Sequence, residues 1–479
     1  MKKMTLATIA QAVGGTLHAE MLPAGISADH TEVRSVVLDS RLVEQGGIFI
    51  ATRGEHVDGH SFISQVFEAG AVGVICEEAL VQPKGAYILV ESSFQALKDL
   101  AEYYRSQLDL KVVGITGSVG KTSTKEFVAG VLSQKYRVLK TEGNYNNEVG
   151  LPLTVLRIRE DCEVAVLEMG ISDFGEMHRL SKIAKPDVCL ITNIGQCHLE
   201  NLGTRDGILK AKSEIFDYMQ EGGQICLNGD DDKLVTIREV RGSVPVFFGG
   251  ESSNAVYADH YENRGLIGSS ARIHMKAYAG QDECSFETEI PLPGEHMLYN
   301  ALAATAVGML FGLTAEQIRA GIRDVKAVDG RSHVIHTDRL TLIDDCYNAN
   351  PVSVKAALDL LHLTELSDIS EDAAHMDQTA RKVAVLGDMF ELGADEAELH
   401  REVGAYAAQK QIDVLVCVGS LCKHMYDGAV EASSVTSCHY FEKKEELEAQ
   451  MDRIIQDGDL VLVKASHGMH FEELIKMLS

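Results

Sequence analysis

The sequence predicts an α/β protein with three domains. Short apolar runs alternate with helix-like segments along the whole chain, which is the pattern of strands and helices packed in layers. The 479 residues exceed what one hydrophobic core ordinarily holds. A glycine-rich turn after the apolar run that ends near residue 116 adds a strand-to-helix junction typical of parallel sheets. We place the domains at residues 1–92, 93–330 and 331–479.

Composition narrows the classes of partner and compartment. A formal charge of −27 opposes a nucleic acid or an anionic membrane as the main partner, because either would require a large basic surface. The ten cysteines are scattered singly without a CxxC pair, which favours free thiols in the cytoplasm over disulfides or a zinc site. No apolar run reaches the roughly 18–20 residues that span a membrane. We therefore expect a cytoplasmic protein that is not inserted in a membrane.

The first domain is predicted to be a compact α/β unit. Near the N-terminus, Leu6, Ile9 and Val13 fall on one face of a helix, which favours an amphipathic helix over a signal peptide. Strand-like runs follow at 36–38, 48–51, 72–75 and 87–90. Between them, the motifs DSR at 39–41 and DGH at 58–60 are typical of turn and helix-cap residues.

The segment KVVGITGSVGKTSTKEF, residues 111–127, has the composition of a phosphate-binding loop. An apolar strand precedes Gly117 and Gly120, whose freedom to turn lets successive N–H groups face one anion at the start of a helix. Lys121 then offers a positive charge to phosphate, and Thr122 offers a hydroxyl to magnesium. Only the shorter GxxGKT part of the usual pattern is present. The alternative, a plain glycine-rich turn, gives the Lys-Thr pair no role.

Three polar residues after this loop are candidates for chemistry. Glu168 ends an apolar run, where a parallel sheet places metal and ligand contacts, although strand-end acids are also common at surfaces. His198, taken alone, is more typical of a structural histidine. Helical spacing puts Lys212 inside an apolar stripe over residues 207–219 and Lys210 on the opposite face. An inward lysine is paired, deprotonated or chemically modified, unless its stem extends to the surface.

Several other segments also carry a structural prediction. The asparagine-rich turn at 143–150 suits either turn formation or recognition of a polar ligand. Residues 251–292 lack helical period and predict antiparallel strands that cover the edge of the central sheet. The motifs DDCYNANP at 344–351 and LGDMFELG at 386–393 occupy strand-to-helix turns, where α/β domains bind ligands. The polar interval 364–382 predicts a surface loop. The strand-like runs of the last domain are 340–343, 383–386, 414–418 and 460–463.

Taken together, the motifs resemble those of the Mur ligases, ATP-dependent enzymes that form amide bonds in bacterial cell-wall synthesis. The resemblance covers essentially the whole chain in order. Its central-domain motifs are TGSVGKTSTKE, GNYNNEVGLPLT, EMG, TNIGQCHLENLG, KAKSEIF, LPGEHMLYNALAA and DGR. LDSR with the following DGH, DCYNANP and LGDMFELG resemble in particular the members that join D-alanyl-D-alanine to UDP-N-acetylmuramoyl-tripeptide.

The resemblance implies a role for each domain. The N-terminal domain would bind the uridine nucleotide substrate. The central domain would be a P-loop ATPase with a mostly parallel sheet, and the C-terminal domain would be Rossmann-like and close over ATP. The reaction implied is ATP-dependent ligation through an acyl phosphate in peptidoglycan precursor synthesis. We expect the protein to be a monomer.

The resemblance also implies the residues of the site. The catalytic residues would be Lys121, Lys212, Glu168 and His198, with Lys212 carbamylated by carbon dioxide. The magnesium ligands would be Thr122, Glu168 and His198. The ATP contacts would be Gly117, Ser118, Val119, Gly120, Lys121, Thr122, Ser123, Asn300, Arg331, Asp345 and Asn348. The contacts to the uridine substrate would be Ser40, Arg41, Asn144, Asn146 and Asn147.

The chain departs from the family pattern in three places. Met297 stands at a position that is often asparagine, and Val119 at one that is often asparagine or serine. In VKASHGM, residues 463–469, Ala465 and His467 replace an expected glycine and arginine. Any phosphate or carboxylate contact that depends on that arginine is therefore not expected here.

Two alternative functions would also use a phosphate-binding loop. The first is another ligase of the same architecture, which adds a different amino acid or extends folylpolyglutamate. The LDSR, YNANP and LGDMFELG motifs weigh against it. The second is a P-loop nucleotide switch. The chain has no NKxD guanine signature, and an inward Lys212 has no purpose in a simple switch.

Overall fold

The computed structural model describes residues 1, 3–22, 25–54, 57–280, 282–365, 380–432 and 436–479. Three β-sheets of five, nine and six strands follow one another along these residues, with helices between the strands. The predicted α/β class and three-domain architecture are confirmed. The interval 364–382, for which the sequence predicts a surface loop, lies largely outside the described ranges.

The first sheet is small and mostly parallel. Its strands are β1 (Thr16–His18), β2 (Val36–Val37), β3 (Ile48–Ile50), β4 (Gly73–Cys76) and β5 (Ala86–Leu89), with helices α1 (Leu6–Ala12) and α2 (Ile63–Glu68). The spatial order is β1-β5-β4-β3-β2, and only β1 runs antiparallel to its neighbour. Helix α3 (Ser93–Ser106) follows, and its buried Leu97 and Leu100 join this domain and the next in one core.

The central sheet positions the phosphate-binding loop. Its strands are β6 (Lys111–Thr116), β7 (Val138–Lys140), β8 (Val164–Glu168), β9 (Val188–Ile191), β10 (Gln224–Asn228), β11 (Val246–Gly249), β12 (Val256–Asn263), β13 (Ser269–Met275) and β14 (Cys284–Ile290). Its helices are α4 (Lys121–Leu132), α5 (Gly150–Leu156), α6 (Glu176–Ala184), α7 (Leu199–Leu202), α8 (Arg205–Ser213), α9 (His296–Leu310) and α10 (Ala315–Arg323). The order is β14-β13-β12-β11-β10-β9-β6-β8-β7. Strand β6 therefore lies between β8 and β9, so the residues that follow these three strands converge at one sheet edge.

One sequence prediction for this domain is confirmed and one needs correction. Residues 251–292 form strands β12–β14, which pair antiparallel with one another and cover the sheet edge at β11, with β12 parallel to β11. The helix predicted over 207–219 ends at Ser213 and is followed by a 3₁₀ turn. The reason is competition for its backbone: the hydroxyl of Ser181 donates to the carbonyl oxygen of Ile215 at 2.8 Å and accepts from the N–H of Tyr218 at 3.2 Å.

The third sheet has six strands and is parallel except at one edge. The strands are β15 (His333–His336), β16 (Thr341–Asp344), β17 (Lys382–Gly387), β18 (Val414–Val418), β19 (Ser437–Phe441) and β20 (Leu460–Lys464). The helices are α11 (Pro351–Leu363), α12 (Glu396–Gln409), α13 (Cys422–Ala432), α14 (Lys444–Glu448), α15 (Met451–Ile454) and α16 (Glu472–Leu478). The order is β15-β16-β20-β17-β18-β19, with β15 antiparallel to β16. The edge strands β15 and β19 were missed by sequence reasoning.

The third domain packs directly on the central domain. Leu266, from the turn between β12 and β13, is buried within the core of the third domain. Leu199, at the start of α7, packs against the core clusters of both domains. Within the described residues, no helix combines the length and the apolar character needed to cross a membrane.

Candidate active site

A cavity of about 940 Å³ lies between the central and third domains. Many of the predicted site residues line it: Ser118, Val119, Gly120, Lys121, Thr122, Ser123, Asn146, Asn147, Glu168, His198, Asn300, Arg331, Asp345 and Asn348. The fold thus brings together residues that are far apart in the sequence. Its size and its mixed lining suit a nucleotide-sized ligand.

The loop between β6 and α4 requires its glycines. Gly117 has φ +150°, and a Cβ atom there would lie 1.9 Å from Oγ1 of Thr192. Gly120 has φ +81° in the left-handed region and directly precedes helix α4. The ammonium of Lys121 donates to the carbonyl oxygen of Gly117 at 3.0 Å, which holds it over the loop. The loop thus has the form expected of an anion site at a helix N-terminus.

Asn193 holds this loop in shape. Its side-chain oxygen accepts from the N–H of Val119 at 3.0 Å, and its amide donates to the carbonyl oxygen of Val119 at 3.1 Å. Its own carbonyl oxygen accepts from the N–H of Ser118 at 3.0 Å. Sequence reasoning missed Asn193, although its place just after β9, the neighbour of β6, was a usable signal. Val119 makes these contacts through its backbone, so its departure from the family pattern leaves them intact.

Glu168 is a buried carboxylate with one unsatisfied oxygen. It ends strand β8 and is 1% exposed. Its Oε1 accepts from the amide of Asn146 at 2.7 Å, and its N–H donates to Oγ1 of Thr141 at 2.9 Å. Its Oε2 is buried without a hydrogen-bond partner in the described part of the chain. A buried acceptor left in this state is costly unless a ligand completes it.

Lys212 is buried on the inner face of α8, whereas Lys210 is exposed, as their helical spacing predicts. Among the described residues, its ammonium has neither a hydrogen bond nor an ion pair. Burial lowers the pKa of Lys212 to about 8, and the positive charge of Lys121 acts in the same direction. Lys212 is therefore neutral far more often than a surface lysine at neutral pH.

His198 contacts the third domain. It has φ +52° and immediately precedes α7. Its Nδ1 lies 2.5 Å from Oε2 of Glu391, which belongs to the turn after β17. This is a close approach without ideal hydrogen-bond geometry. The contact lowers the pKa of the Glu391 carboxyl. Sequence reasoning named the LGDMFELG turn but not this residue.

Arg331 links the third domain to the phosphate-binding loop. Its guanidinium donates to Oγ1 of Thr122 at 3.3 Å and lies 3.8 Å above the ring centre of Tyr347. The ring centre of His467 lies 5.3 Å from that of Tyr347, and the two ring planes are inclined by 32°. The histidine that replaces the expected arginine is thus in contact with Tyr347. Tyr347 was missed as a site residue, although it stands inside the DCYNANP motif.

The third-domain carboxylate at the cavity is fully paired. Oδ2 of Asp345 accepts from the ammonium of Lys464 at 2.6 Å, and Oδ1 accepts from the N–H of Ser332 at 3.1 Å. Lys464 also donates to the carbonyl oxygen of Asn348 at 2.9 Å. This network shapes the turn after β16. Lys464 was not among the predicted residues.

Asn300 is placed by two neighbours inside the cavity wall. Its side-chain oxygen accepts from the hydroxyl of Thr124 at 2.8 Å, and its amide lies 3.3 Å from the sulfur of Met297. The methionine at the position that is often asparagine therefore contacts Asn300 directly. The other departure, Ala465, is fully buried against Gly387, where a Cβ would lie 2.6 Å from that of Ala465.

Some predicted residues do not line the cavity. They are Gly117, Lys212, Asn144, Ser40 and Arg41. Arg41 is instead held by Asp39 of its own turn, with a shortest contact of 2.6 Å, and its side chain is 83% exposed. Hydrogen bonds from Arg41 lower the pKa of Asp39 to about 2. Asn147 accepts from the N–H groups of Val149 and Gly150, so it also stabilises its own turn.

A second polar cluster in the third domain is structural. Asp388, His400 and Cys422 bring potential ligand atoms within 4.8 Å of one another. Both nitrogens of His400 are already used, because Nε2 accepts from the N–H of Met389 and Nδ1 contacts the carbonyl oxygen of Glu396. Asp388 accepts from the N–H of Cys422 at 2.8 Å. These bonds fix the 386–393 turn rather than offer a metal site.

The chain is similar to known proteins along its whole length. Three family models match: the catalytic domain of the Mur ligase family at residues 32–105, the Mur ligase middle domain at 115–308 and the Mur ligase glutamate ligase domain at 330–467. The UDP-N-acetylmuramoyl-tripeptide--D-alanyl-D-alanine ligase of Bacillus subtilis is 39% identical over 100% of this chain and 99% of its own length. The Escherichia coli ligase of the same name is 32% identical over 96% of both chains.

Solved structures give the same result. A crystal structure of MurF from Acinetobacter baumannii matches with a TM-score of 0.84 and 31% identity, covering 99% of this chain and 98% of that one. MurF from Thermotoga maritima in complex with ADP matches with a TM-score of 0.77 and 30% identity, covering 94% and 97%.

Proposed function

This chain belongs to the Mur ligase family, and we propose that it joins D-alanyl-D-alanine to UDP-N-acetylmuramoyl-tripeptide, with ATP converted to ADP and phosphate, during peptidoglycan precursor synthesis. The observation that carries the proposal is the full-length similarity to ligases of that name. The cavity supports it, because it combines a phosphate-binding loop with a buried carboxylate, Glu168, whose Oε2 has no hydrogen-bond partner among the described residues. We retain the domain limits 1–92, 93–330 and 331–479.

The chemistry must join two poor reactants, a carboxylate and an amine that is protonated at neutral pH. The γ-phosphoryl group of ATP passes to the terminal carboxylate of the tripeptide and makes an acyl phosphate. The neutral amine of D-alanyl-D-alanine then attacks the carbonyl carbon. The tetrahedral intermediate loses a proton and its C–O bond to phosphate breaks, which leaves an amide and inorganic phosphate. Lys121 neutralises charge on the transferred group, and the third domain excludes water that would hydrolyse the acyl phosphate.

The donor set around Glu168 fits magnesium, which prefers oxygen ligands and phosphate. Among the described residues, Oε2 of Glu168 is buried without a hydrogen-bond partner, and the Thr122 hydroxyl and the His198 ring line the same cavity. We propose these three residues as the magnesium ligands. Magnesium, when bound, neutralises the charge on the ATP phosphates. Asn146 orients the carboxylate through its bond to Oε1.

Lys212 fits the carbamate that the family resemblance implies. Carbamylation requires a neutral amine, and burial already lowers the pKa of this lysine to about 8. The resulting carbamate would remove the uncompensated buried ammonium. Lys212→Ala should lose at least about 100-fold in turnover and recover part of it with formate or acetate. The matched control is Lys210→Ala on the exposed face; unchanged turnover in Lys212→Ala would refute the carbamate.

The remaining assignments follow the resemblance. The ATP contacts are those of the loop from Gly117 to Ser123, together with Asn300, Arg331, Asp345 and Asn348. The uridine substrate contacts are Ser40, Arg41, Asn144, Asn146 and Asn147. We propose a cytoplasmic monomer, and the absence of disulfides among the ten cysteines suits a reducing compartment.

One incubation tests the function. The protein is mixed with ATP, magnesium, UDP-N-acetylmuramoyl-tripeptide and D-alanyl-D-alanine, and both phosphate release and product mass are followed. We expect phosphate release that depends on both substrates and a product heavier than the tripeptide by one dipeptide less water. Parallel incubations replace the dipeptide with single amino acids, or replace both substrates with a folate and glutamate. Phosphate release that ignores the dipeptide would refute the assignment.

A further inference from the structure

The contact between His198 and Glu391 joins two domains at the wall of the cavity. His198 precedes α7 in the central domain, and Glu391 lies between β17 and α12 in the third. The 2.5 Å separation of Nδ1 and Oε2 brings a carboxylate onto one nitrogen of an imidazole that also lines the cavity. Nε2 makes no hydrogen bond with any residue that the structure describes.

Both residues of this contact have unusual backbone conformations. His198 has φ +52° and Glu391 has φ +62°, a region that residues with a Cβ rarely adopt. Such conformations persist only where surrounding contacts enforce them, and they concentrate at functional sites. Two strained residues from different domains thus meet at a single contact.

Close packing of the two loops supports the contact. Gly393, with φ +69°, approaches α7 so closely that a Cβ there would lie 3.3 Å from Cα of Glu200. Leu199, next to His198, packs against the cores of both domains. The position of Glu391 therefore follows from docking of the domains and not from a chance meeting of two long surface side chains.

A carboxylate on one ring nitrogen determines what the other can do. It favours the tautomer that carries hydrogen on Nδ1, so that Nε2 keeps its lone pair for a metal. We propose that Glu391 is a positioning residue that prepares His198 as a metal ligand only when the third domain is docked. The inference rests on the proposed function, since it assigns a metal-dependent role to His198. Divalent metal binding and domain closure then strengthen each other, because such coupling is reciprocal.

Metal binding by the full-length protein tests the proposal without turnover. Mn²⁺ is the probe, and its affinity is measured by electron paramagnetic resonance in the presence of ADP. Glu391→Gln keeps the size of the side chain and Glu391→Ala removes it. Both should bind Mn²⁺ about 10–100-fold more weakly than the wild type. The control is Glu431→Ala, which removes an exposed carboxylate that pairs with Arg401 of the same domain. The Mn²⁺ affinity of this variant should stay within about twofold of the wild type.

Two further measurements separate positioning from a merely structural role. In a His198→Ala background, Glu391→Ala should cause no additional loss of Mn²⁺ affinity, because the two residues act as one unit. Small-angle X-ray scattering should show that Mn²⁺ with ADP compacts the wild type and Glu431→Ala, and compacts Glu391→Ala less. Unchanged Mn²⁺ affinity in both Glu391 variants, or a full additional loss in the His198→Ala background, would overturn the proposal. Because no assay here uses the peptide substrates, failure of the ligase assignment would be seen separately.

Discussion

The two walls of the cavity differ in how their buried polar groups are satisfied. On the central wall, Oε2 of Glu168 has no partner among the described residues. In the same domain, but outside the cavity lining, the buried Lys212 has no counterion among the described residues. On the third-domain wall, Asp345 and Lys464 satisfy each other at 2.6 Å. The two lysines are equally buried, at 1% and 2% exposure, so burial alone does not separate them. The central wall is incomplete without ligands, whereas the third wall is complete as folded.

This difference predicts that substitutions on the central wall affect turnover and those on the third wall affect stability. Removing an unpaired group removes a binding opportunity, and its loss need not destabilise the fold. Removing one member of a buried pair leaves the other without a partner. This lowers the free energy of unfolding whether or not a ligand is present.

The largest expected effect is that of Glu168→Gln. The amide lacks the charge that a cation near the ATP phosphates requires, so turnover should fall by about 10²–10³-fold. Phosphate release that depends on D-alanyl-D-alanine measures it, and the melting temperature should not fall. Glu163→Gln, just before the other end of the same strand, should keep normal turnover. A loss of turnover smaller than tenfold in Glu168→Gln would contradict the prediction that substitutions on the central wall act on turnover.

The next effect is that of Lys464→Met on stability. The substitution leaves the buried carboxylate of Asp345 uncompensated, so the free energy of unfolding should fall by about 3–5 kcal/mol. Urea denaturation, followed through the unfolding transition of the third domain, measures this free energy. Adding Asp345→Asn to Lys464→Met should restore part of the loss. If Lys464→Met unfolds at the same urea concentration as the wild type, the third wall is not held by this pair.

The pH dependence of stability should reveal Lys212. The pKa of Lys212 is about 8 in the folded protein, below the 10.5 of an exposed lysine, so the unfolded chain binds more protons between these two pH values. The contribution of Lys212 to the free energy of unfolding therefore rises with pH between about 8 and 10.5. It falls again as the pH is lowered toward 8. In carbon dioxide-free buffer, the wild type should gain about 2 kcal/mol relative to Lys212→Met between pH 8 and pH 10. Parallel curves for the two proteins would mean that Lys212 is paired after all.

The smallest effect is expected for Arg331→Ala. Arg331 belongs to the third domain and contacts Thr122 of the central domain. The variant loses the hydrogen bond to Thr122 and the stack on Tyr347, worth about 1–2 kcal/mol together. We expect kcat/KM for ATP to fall about tenfold, with little change in melting temperature. Arg331→Lys should retain more of the kcat/KM for ATP than Arg331→Ala but less than the wild type, since lysine lacks the planar group that stacks on Tyr347. A wild-type kcat/KM in Arg331→Lys would show that only the positive charge of Arg331 contributes.

Local patterns predicted what lies within one element. Strand ends placed Glu168 at the edge of the sheet, and helical spacing identified Lys212 as inward and Lys210 as outward. Both depend on neighbours within a few residues along the chain. The same reasoning extended α8 too far, because the bonds of Ser181 to Ile215 and Tyr218 come from another helix.

Contacts between elements were beyond such patterns. Asn193 is 74 residues from Val119, and Lys464 is 119 residues from Asp345. Their meeting depends on sheet order, which places β9 beside β6 and β20 beside β16. The edge strands β15 and β19 were missed because they are mostly half-exposed and carry few strongly apolar residues. Glu391 was missed because it lies on a turn, which has no periodic pattern. Its contact with His198 also crosses a domain boundary, which the sequence does not reveal.

The two hydrogen bonds between the Asn193 side chain and the backbone of Val119 affect how the loop binds a nucleotide. A glycine-rich loop would ordinarily sample many conformations, and ordering it on binding would cost about 1–2 kcal/mol of backbone entropy for each residue fixed. Here two hydrogen bonds between the Asn193 side chain and the Val119 backbone already hold the loop in place. Phosphate therefore meets a surface that is already rigid, and binding should proceed without a slow rearrangement of the loop.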